Sequence, residues 1–293
     1  MAEQEHKSWQ GTTDGTPWMQ RTLVSLFRWM PLGVLYGIMA LVVPFYMLLD
    51  KKGYKASCSF ARKRLGMGRL SSFFYVYRNE YRMGQVVLDR FAAFAGKKFD
   101  LERTGVERFY ELADNGKGFL MLSSHTGCFE LVGLQLPSPV PIHALVFPGE
   151  TETVMKHRSQ MFAQTNVTMI AAREDLSHLF RINNALADGE IVSMPGDRVF
   201  GARRTVRCRF FGEPASFPSG PFSLALQRDV PVLFVMVMKT ARRRYHVYVR
   251  ELVPAGEDRA ARLQSLGDAY AGMLEEIVRQ YPDQWFNFYD FWA

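Results

Sequence analysis

The sequence predicts an α/β fold: a mixed, mostly buried sheet flanked by helices, with an N-terminal membrane helix. Three observations carry this expectation. From residue 97 onward, short apolar runs alternate with helical patterns, the signature of strands and helices interleaved around one sheet. The run 31–49 (PLGVLYGIMALVVPFYMLL) holds no charged residue and is long enough to cross a ~30 Å hydrocarbon layer. Apolar residues 118–122 break at Ser123-Ser124, present His125, and pass into a helical pattern carrying Glu130, Leu131, Leu134 and Leu136. The last is a strand delivering a side chain to a strand-to-helix junction.

Taken in order, residues 1–20 read as a polar tail, and 21–30 as an interfacial turn leading into the apolar helix. Residues 54–95 are helical in pattern and rich in aromatic rings, among them Phe73, Phe74, Tyr77 and Tyr81. Strands are expected at 99–103, 119–122, 141–147, 167–171, 190–194, 206–211, 232–239 and 245–252. Helices are expected at 150–163, 175–187, from 218 onward, and at 259–281. The chain therefore divides into a tail and anchoring helix (1–50), basic and aromatic membrane-facing helices (51–96) and an α/β core (97–293).

The net charge of +7 is unevenly spread. Residues 51–70 carry Lys51, Lys52, Lys55, Arg62, Lys63, Arg64 and Arg69 with no acid, whereas residues 1–30 mix both signs. The positive-inside bias places everything after residue 50 on the cytoplasmic side of the cytoplasmic membrane. A start this late, without a small-residue cleavage site, argues against a removable signal peptide. Three scattered cysteines make no disulfide framework. The histidines are dispersed, with no HExxH or CxxC, so neither a metal site nor a cofactor is expected. The arginines follow no nucleic-acid-binding module.

A neutral imidazole takes a proton near pH 7, and a nearby carboxylate fixes its tautomer and stabilises the imidazolium. His125 and Glu130 suit that chemistry. Residues five apart on one helix point about 140° apart, so His125 must lie ahead of the helix if Glu130 is to reach it. Three further segments follow expected strands, where open α/β sheets bind ligands. Arg173 can fork to a phosphate or carboxylate. Asp197 sits in the loop Met194-Pro-Gly-Asp-Arg-Val-Phe-Gly201. Gly220 lies in the Gly/Pro-rich bend 212–221, entering a helix that can offer backbone N–H groups to an anion.

These segments, in this order, resemble the bacterial lipid A late acyltransferase family (lauroyl/myristoyl transferases), within the lysophospholipid-acyltransferase group. His125-x4-Glu130 is similar to that family's His-x4-Asp/Glu motif. Arg173, the Asp197…Gly201 loop and the block from Phe210 through Pro218-x-Gly220-Pro221 to Pro231-Val232 follow its later motifs. Pro282-Asp-Gln284 resembles the start of its closing region, with Asn287 where the family has tryptophan. The resemblance implies transfer of an acyl group from acyl carrier protein or acyl-CoA to a hydroxyl of a membrane lipid, either a lipid A precursor or a simpler one. It implies His125 and Glu130 as catalytic residues, with Arg173, Asp197, Gly201 and Gly220 around the substrates. Arg203, Arg204, Arg207, Arg209 and Arg242–Arg244 suit an acidic carrier surface or CoA phosphates. Two alternatives stand beside this. Cys128 would serve as nucleophile in a thioesterase or ping-pong transferase, or the chain would be a membrane-anchored lipid-binding protein without turnover.

Overall fold

The computed structural model describes residues 30–135, 137–146, 162, 165–172, 177–199 and 204–292. Among these, helices α1 (Leu32–Leu49), α2 (Lys51–Lys63) and α3 (Arg69–Phe94) precede an alternating α/β region. It runs β1 (Asp100–Thr104), α4 (Val106–Asp114), β2 (Phe119–Ser123), α5 (Glu130–Gln135), β3 (Ile142–Val146), β4 (Val167–Ala171), α6 (Ser177–Ala187) and β5 (Ile191–Pro195). There follow β6 (Thr205–Phe210), β7 (Glu213–Pro218), α7 (Gly220–Arg228), β8 (Val232–Ala241), β9 (Arg244–Leu252) and α8 (Arg259–Gln280).

Seven strands form one mixed sheet in the order β1-β9-β8-β2-β5-β3-β4. Strands β8, β2, β5, β3 and β4 are mutually parallel, and β9 returns antiparallel to β8 with β1 parallel to it. Period-2 alternation sorts the central side chains between two cores. Leu120, Leu122, Phe234 and Met236 pack with α6, α7 and α8 on one face. Phe119, Met121, Leu233, Val235 and Val237 pack with α4, α5 and the end of α3 on the other. With both faces covered, β2 as far as Leu122 and β8 as far as Met238 read as unbroken apolar runs.

Helix α1 is part of this packing. Leu32, Leu35 and Tyr36 lie in the same core as Phe99 and Tyr245, while Val43 and Met47 join the opposite one. The Tyr36 hydroxyl donates to Asp89 of α3, and Asp89 also takes the Lys239 ammonium at the end of β8 and the Tyr245 hydroxyl of β9. Asp89 and Lys239 are buried. The other face of α1 is bare and apolar, with Leu41, Phe45, Leu48 and Leu49 exposed, and Leu70, Phe73 and Phe74 of α3 add to it. Among the described residues α1 is the one helix long and apolar enough to cross a membrane.

The expected strands appear within a residue or two of their sequence positions. The helical stretch 54–95 falls into two helices, parted where Gly66 adopts φ +66°, in keeping with the expected helices. One expectation needs correction. The Gly/Pro-rich bend contains strand β7, paired with β6 as a separate hairpin. Its two-residue turn places Phe211 (φ 51°) and Gly212 (φ 83°) in the left-handed region, as a type I′ turn requires. Pro214 and Pro218 argue against a central strand, but a two-stranded ribbon is all edge and tolerates them. The expected helix 150–163 lies outside the described residues except for Phe162, as does segment 21–29.

Glu80 of α3 is buried, and among the described residues neither carboxylate oxygen has a hydrogen-bond partner. Burial, with the Asp50 charge adding to it, pushes its carboxyl up to about 7. A carboxyl raised in the folded state contributes fully below its unfolded pKa, and that contribution fades as pH rises through the folded one. Glu80→Gln is therefore expected to melt higher than the wild type, by a margin that grows from about pH 4.5 to 7 and then levels. At ~1.4 kcal/mol per pKa unit the plateau is about 3 kcal/mol. Thermal unfolding in detergent across pH 5–8 checks this, and a margin independent of pH would contradict it.

Candidate active site

His125 stands between the end of β2 and the start of α5, ahead of the helix rather than on it. The register explains its partner. In the parallel pair β2–β5, Ser123 lies opposite Pro195, so the residues two beyond each strand end, His125 and Asp197, arrive together. The His125 Nδ1 and Asp197 Oδ1 are 2.8 Å apart, and the His125 backbone N–H donates to the other oxygen at 2.9 Å. The Asp197 side chain is 2% exposed and that of His125 35%. Nδ1 is thus engaged by a buried carboxylate, and Nε2 is the nitrogen open to a substrate. Burial pushes the Asp197 carboxyl up, but the His125 charge and hydrogen bonds, with Arg198 nearby, outweigh it and hold the carboxyl below its ordinary value.

The surrounding backbone is tightly braced. Gly127 has φ +53°, and a Cβ there would fall 1.9 Å from the Val237 carbonyl oxygen, so only glycine fits. Tyr270 donates to the Ser123 carbonyl at 2.7 Å, and the Gly196 N–H donates to the same oxygen at 2.9 Å. The C-terminal segment supplies further support. Gln284 accepts from the Gly127 N–H at 3.1 Å through its carbonyl, Trp285 bridges Thr126, and the Phe286 N–H donates to the His125 carbonyl at 2.9 Å. The Gln284 side chain in turn bonds both backbone groups of Lys239 at 2.8 Å. Asn79 of α3 donates to the carbonyls of Asp283 and Trp285.

Of the residues singled out in the sequence, the structure brings His125 and Asp197 together. Glu130, the first residue of α5, ion-pairs with Arg90 of α3 at 2.9 Å. The carboxylate hydrogen-bonded to the His125 ring is that of Asp197, 72 positions away in sequence. Arg173 and Gly201 lie outside the described residues. Gly220 opens α7, exposed, with nothing within 4 Å of a built Cβ. No contact recorded among the described residues joins it to the His125 pair. Sequence reasoning gave the C-terminal segment no role at the site. Its signal was the run of large apolar residues after α8, which bury as Trp285, Phe286 and Phe291.

Cys128 is fully buried, its N–H donating to the Val237 carbonyl at 2.8 Å. Burial pushes its thiol well up, with the Glu130 charge adding to the effect. A thiol so held is a small core group rather than a thiolate nucleophile. Cys128→Ala is expected to keep more than half of the wild-type activity. Loss of activity together with an acyl adduct on Cys128, found by mass spectrometry, would contradict this.

A half-buried imidazole bonded to a buried aspartate at the ends of adjacent parallel strands is an arrangement chemically suited to taking up a proton. The family model for bacterial lipid A biosynthesis acyltransferases matches residues 94–293. The chain belongs to that family, one of acyltransferases that join an acyl donor to a lipid acceptor. No curated protein matches the chain as a relative.

Proposed function

We propose that the protein transfers a fatty acyl group from a thioester, on acyl carrier protein or CoA, to a hydroxyl of a membrane lipid, a lipid A precursor or a simpler lipid. The observation that carries this reading is the His125 ring, with Nδ1 held by buried Asp197 and its other edge exposed. Nε2 takes the hydroxyl proton as the oxygen attacks the thioester carbonyl. The tetrahedral adduct collapses with loss of the thiolate, which takes the proton back from the imidazolium. Asp197 keeps the tautomer that leaves Nε2 basic and stabilises the cation formed at each transfer. Glu130, paired with Arg90 at 2.9 Å, ties the start of α5 behind His125 to α3. Arg173, Gly201 and Gly220 belong to the substrate-binding periphery in this reading.

Arg207 and Arg209 project from the exposed face of β6, and Arg204 is exposed just ahead of it, which suits an acidic donor. The bare apolar face of α1 and the acid-free helix α2 support attachment to the cytoplasmic membrane, with the α/β region on the cytoplasmic side. Lipid analysis of a strain lacking the gene tests the function. One acylated lipid should disappear and its hydroxyl precursor accumulate, restored by the wild type and not by His125→Ala. An unchanged lipid profile would sink the reading.

A further inference from the structure

A cleft of ≈ 190 Å³ lies between helix α2 and the C-terminal segment. One wall carries Ser59, Lys63 and Arg64, and the other Tyr289, Asp290 and Trp292. We propose that this cleft is the headgroup subsite for the lipid acceptor, and that it takes a small anionic headgroup, a phosphate or carboxylate. The inference rests on the acyltransferase reading for the word acceptor, but not for the site itself.

Four observations converge. The cleft is walled by the same segment that braces His125: the Phe286 N–H is on the His125 carbonyl, and Arg198, next to Asp197, donates to the Phe286 carbonyl at 3.0 Å. Three residues on, the Tyr289 ring lies 5.9 Å from the Arg198 guanidinium carbon, so one wall of the cleft touches the residue that follows Asp197 in the chain. Its cationic wall belongs to α2, which has no acidic residue from Lys51 to Lys63. Arg64 is fixed over the Trp292 ring at 4.5 Å and near Glu213 at 3.6 Å, whereas Lys63 has no ion pair among the described residues and is exposed. Lys63 is the charge left for a ligand.

Position and size select the occupant. Helix α2 follows the bare end of α1 at Leu48 and Leu49, and precedes exposed Leu70, Phe73 and Phe74. A cleft flanked in this way opens at the level where apolar surface meets lipid headgroups. Its volume is below the ~300 Å³ of pockets that enclose a whole small molecule, so it admits a headgroup and leaves acyl chains outside. Asp290 gives one oxygen to the Trp292 N–H at 3.2 Å; its carboxylate can also accept from a hydroxyl on the same headgroup.

The test is isothermal titration of the full chain in phosphatidylcholine nanodiscs with 1-octanoyl lysophosphatidate, using monooctanoylglycerol as the neutral match. Lys63→Glu should weaken lysophosphatidate binding at least tenfold and leave the neutral lipid unchanged. Lys117→Glu makes the same charge change before β2, at the opposite end of that strand from His125, and should have no effect. His125→Ala should bind like the wild type, so failure of the catalytic reading and failure of this one are separable. Equal losses from Lys63→Glu and Lys117→Glu would show a general charge effect and overturn the subsite. Displacement of lysophosphatidate by inorganic phosphate at equal concentration would assign the cleft to free phosphate and overturn the headgroup assignment, and displacement by acyl-CoA would assign the cleft to the donor.

Discussion

Replacing His125 by alanine is expected to lower transfer by about 10³-fold, close to 4 kcal/mol of transition-state stabilisation. Asp197→Asn should follow within about tenfold of it. Its amide presents a donor as well as an acceptor to the ring, so the tautomer with basic Nε2 loses its hold. The carboxylate that stabilises the imidazolium is also gone. Glu130→Ala should cost less than either, since that carboxylate pairs with Arg90 at 2.9 Å while Asp197 takes Nδ1 at 2.8 Å. Initial rates of acyl transfer, with circular dichroism to establish folding, measure all three. A folded Asp197→Asn enzyme with wild-type rate would remove Asp197 from the mechanism. A folded His125→Ala enzyme with appreciable rate would remove the general-base assignment altogether.

The difference between Glu130 and Asp197 shows what local sequence conveys. The strand β2, the break at Ser123-Ser124 and the helix beginning at Glu130 follow from neighbouring residues, and the His125 junction was readable from them. Strand β4 coincides with the run 167–171 for the same reason. Which carboxylate meets the imidazole depends on β5 lying beside β2, with Ser123 opposite Pro195. That is a fact of strand order, and no periodicity within either segment contains it. The brace from Gln284, Trp285 and Phe286 is equally non-local. These residues bond to a loop far earlier in the chain because α8 returns them to the strand ends. Strand β7 was hidden for the opposite reason: its prolines are locally unfavourable to strands, and only pairing in an all-edge hairpin makes them acceptable.

Asp89→Ala is expected to be the most destabilising single change outside the site, by roughly 3–5 kcal/mol, because it strands the buried Lys239 ammonium without a counter-charge. Asp89 is where four elements meet: the Tyr36 hydroxyl of α1, the Lys239 ammonium of β8 and the Tyr245 hydroxyl of β9 all converge on this carboxylate of α3. Two features make the loss spread beyond stability. The Lys239 backbone is held on both sides by the Gln284 side chain, and the Gln284 carbonyl holds the Gly127 N–H next to His125. A shifted Lys239 therefore loosens the His125 loop, so activity should fall at temperatures where the variant is still folded. Asp89→Leu combined with Lys239→Met removes both charges and should recover most of the stability. Tyr36→Phe, which deletes the hydroxyl's hydrogen bonds to the Asp89 carboxylate and from the Lys239 ammonium, should cost at least about 1.5–3 kcal/mol. Removing residues 1–50 altogether would bare Phe99 and Tyr245 where Leu32, Leu35 and Tyr36 now cover them, and should leave a protein that aggregates even in detergent. Thermal unfolding of the full chain and its variants in one detergent reads every term of this argument. An Asp89→Ala protein melting with the wild type, or a 1–50 deletion that stays monomeric and active on detergent-dispersed acceptor, would show that α1 only anchors the enzyme and takes no part in building it.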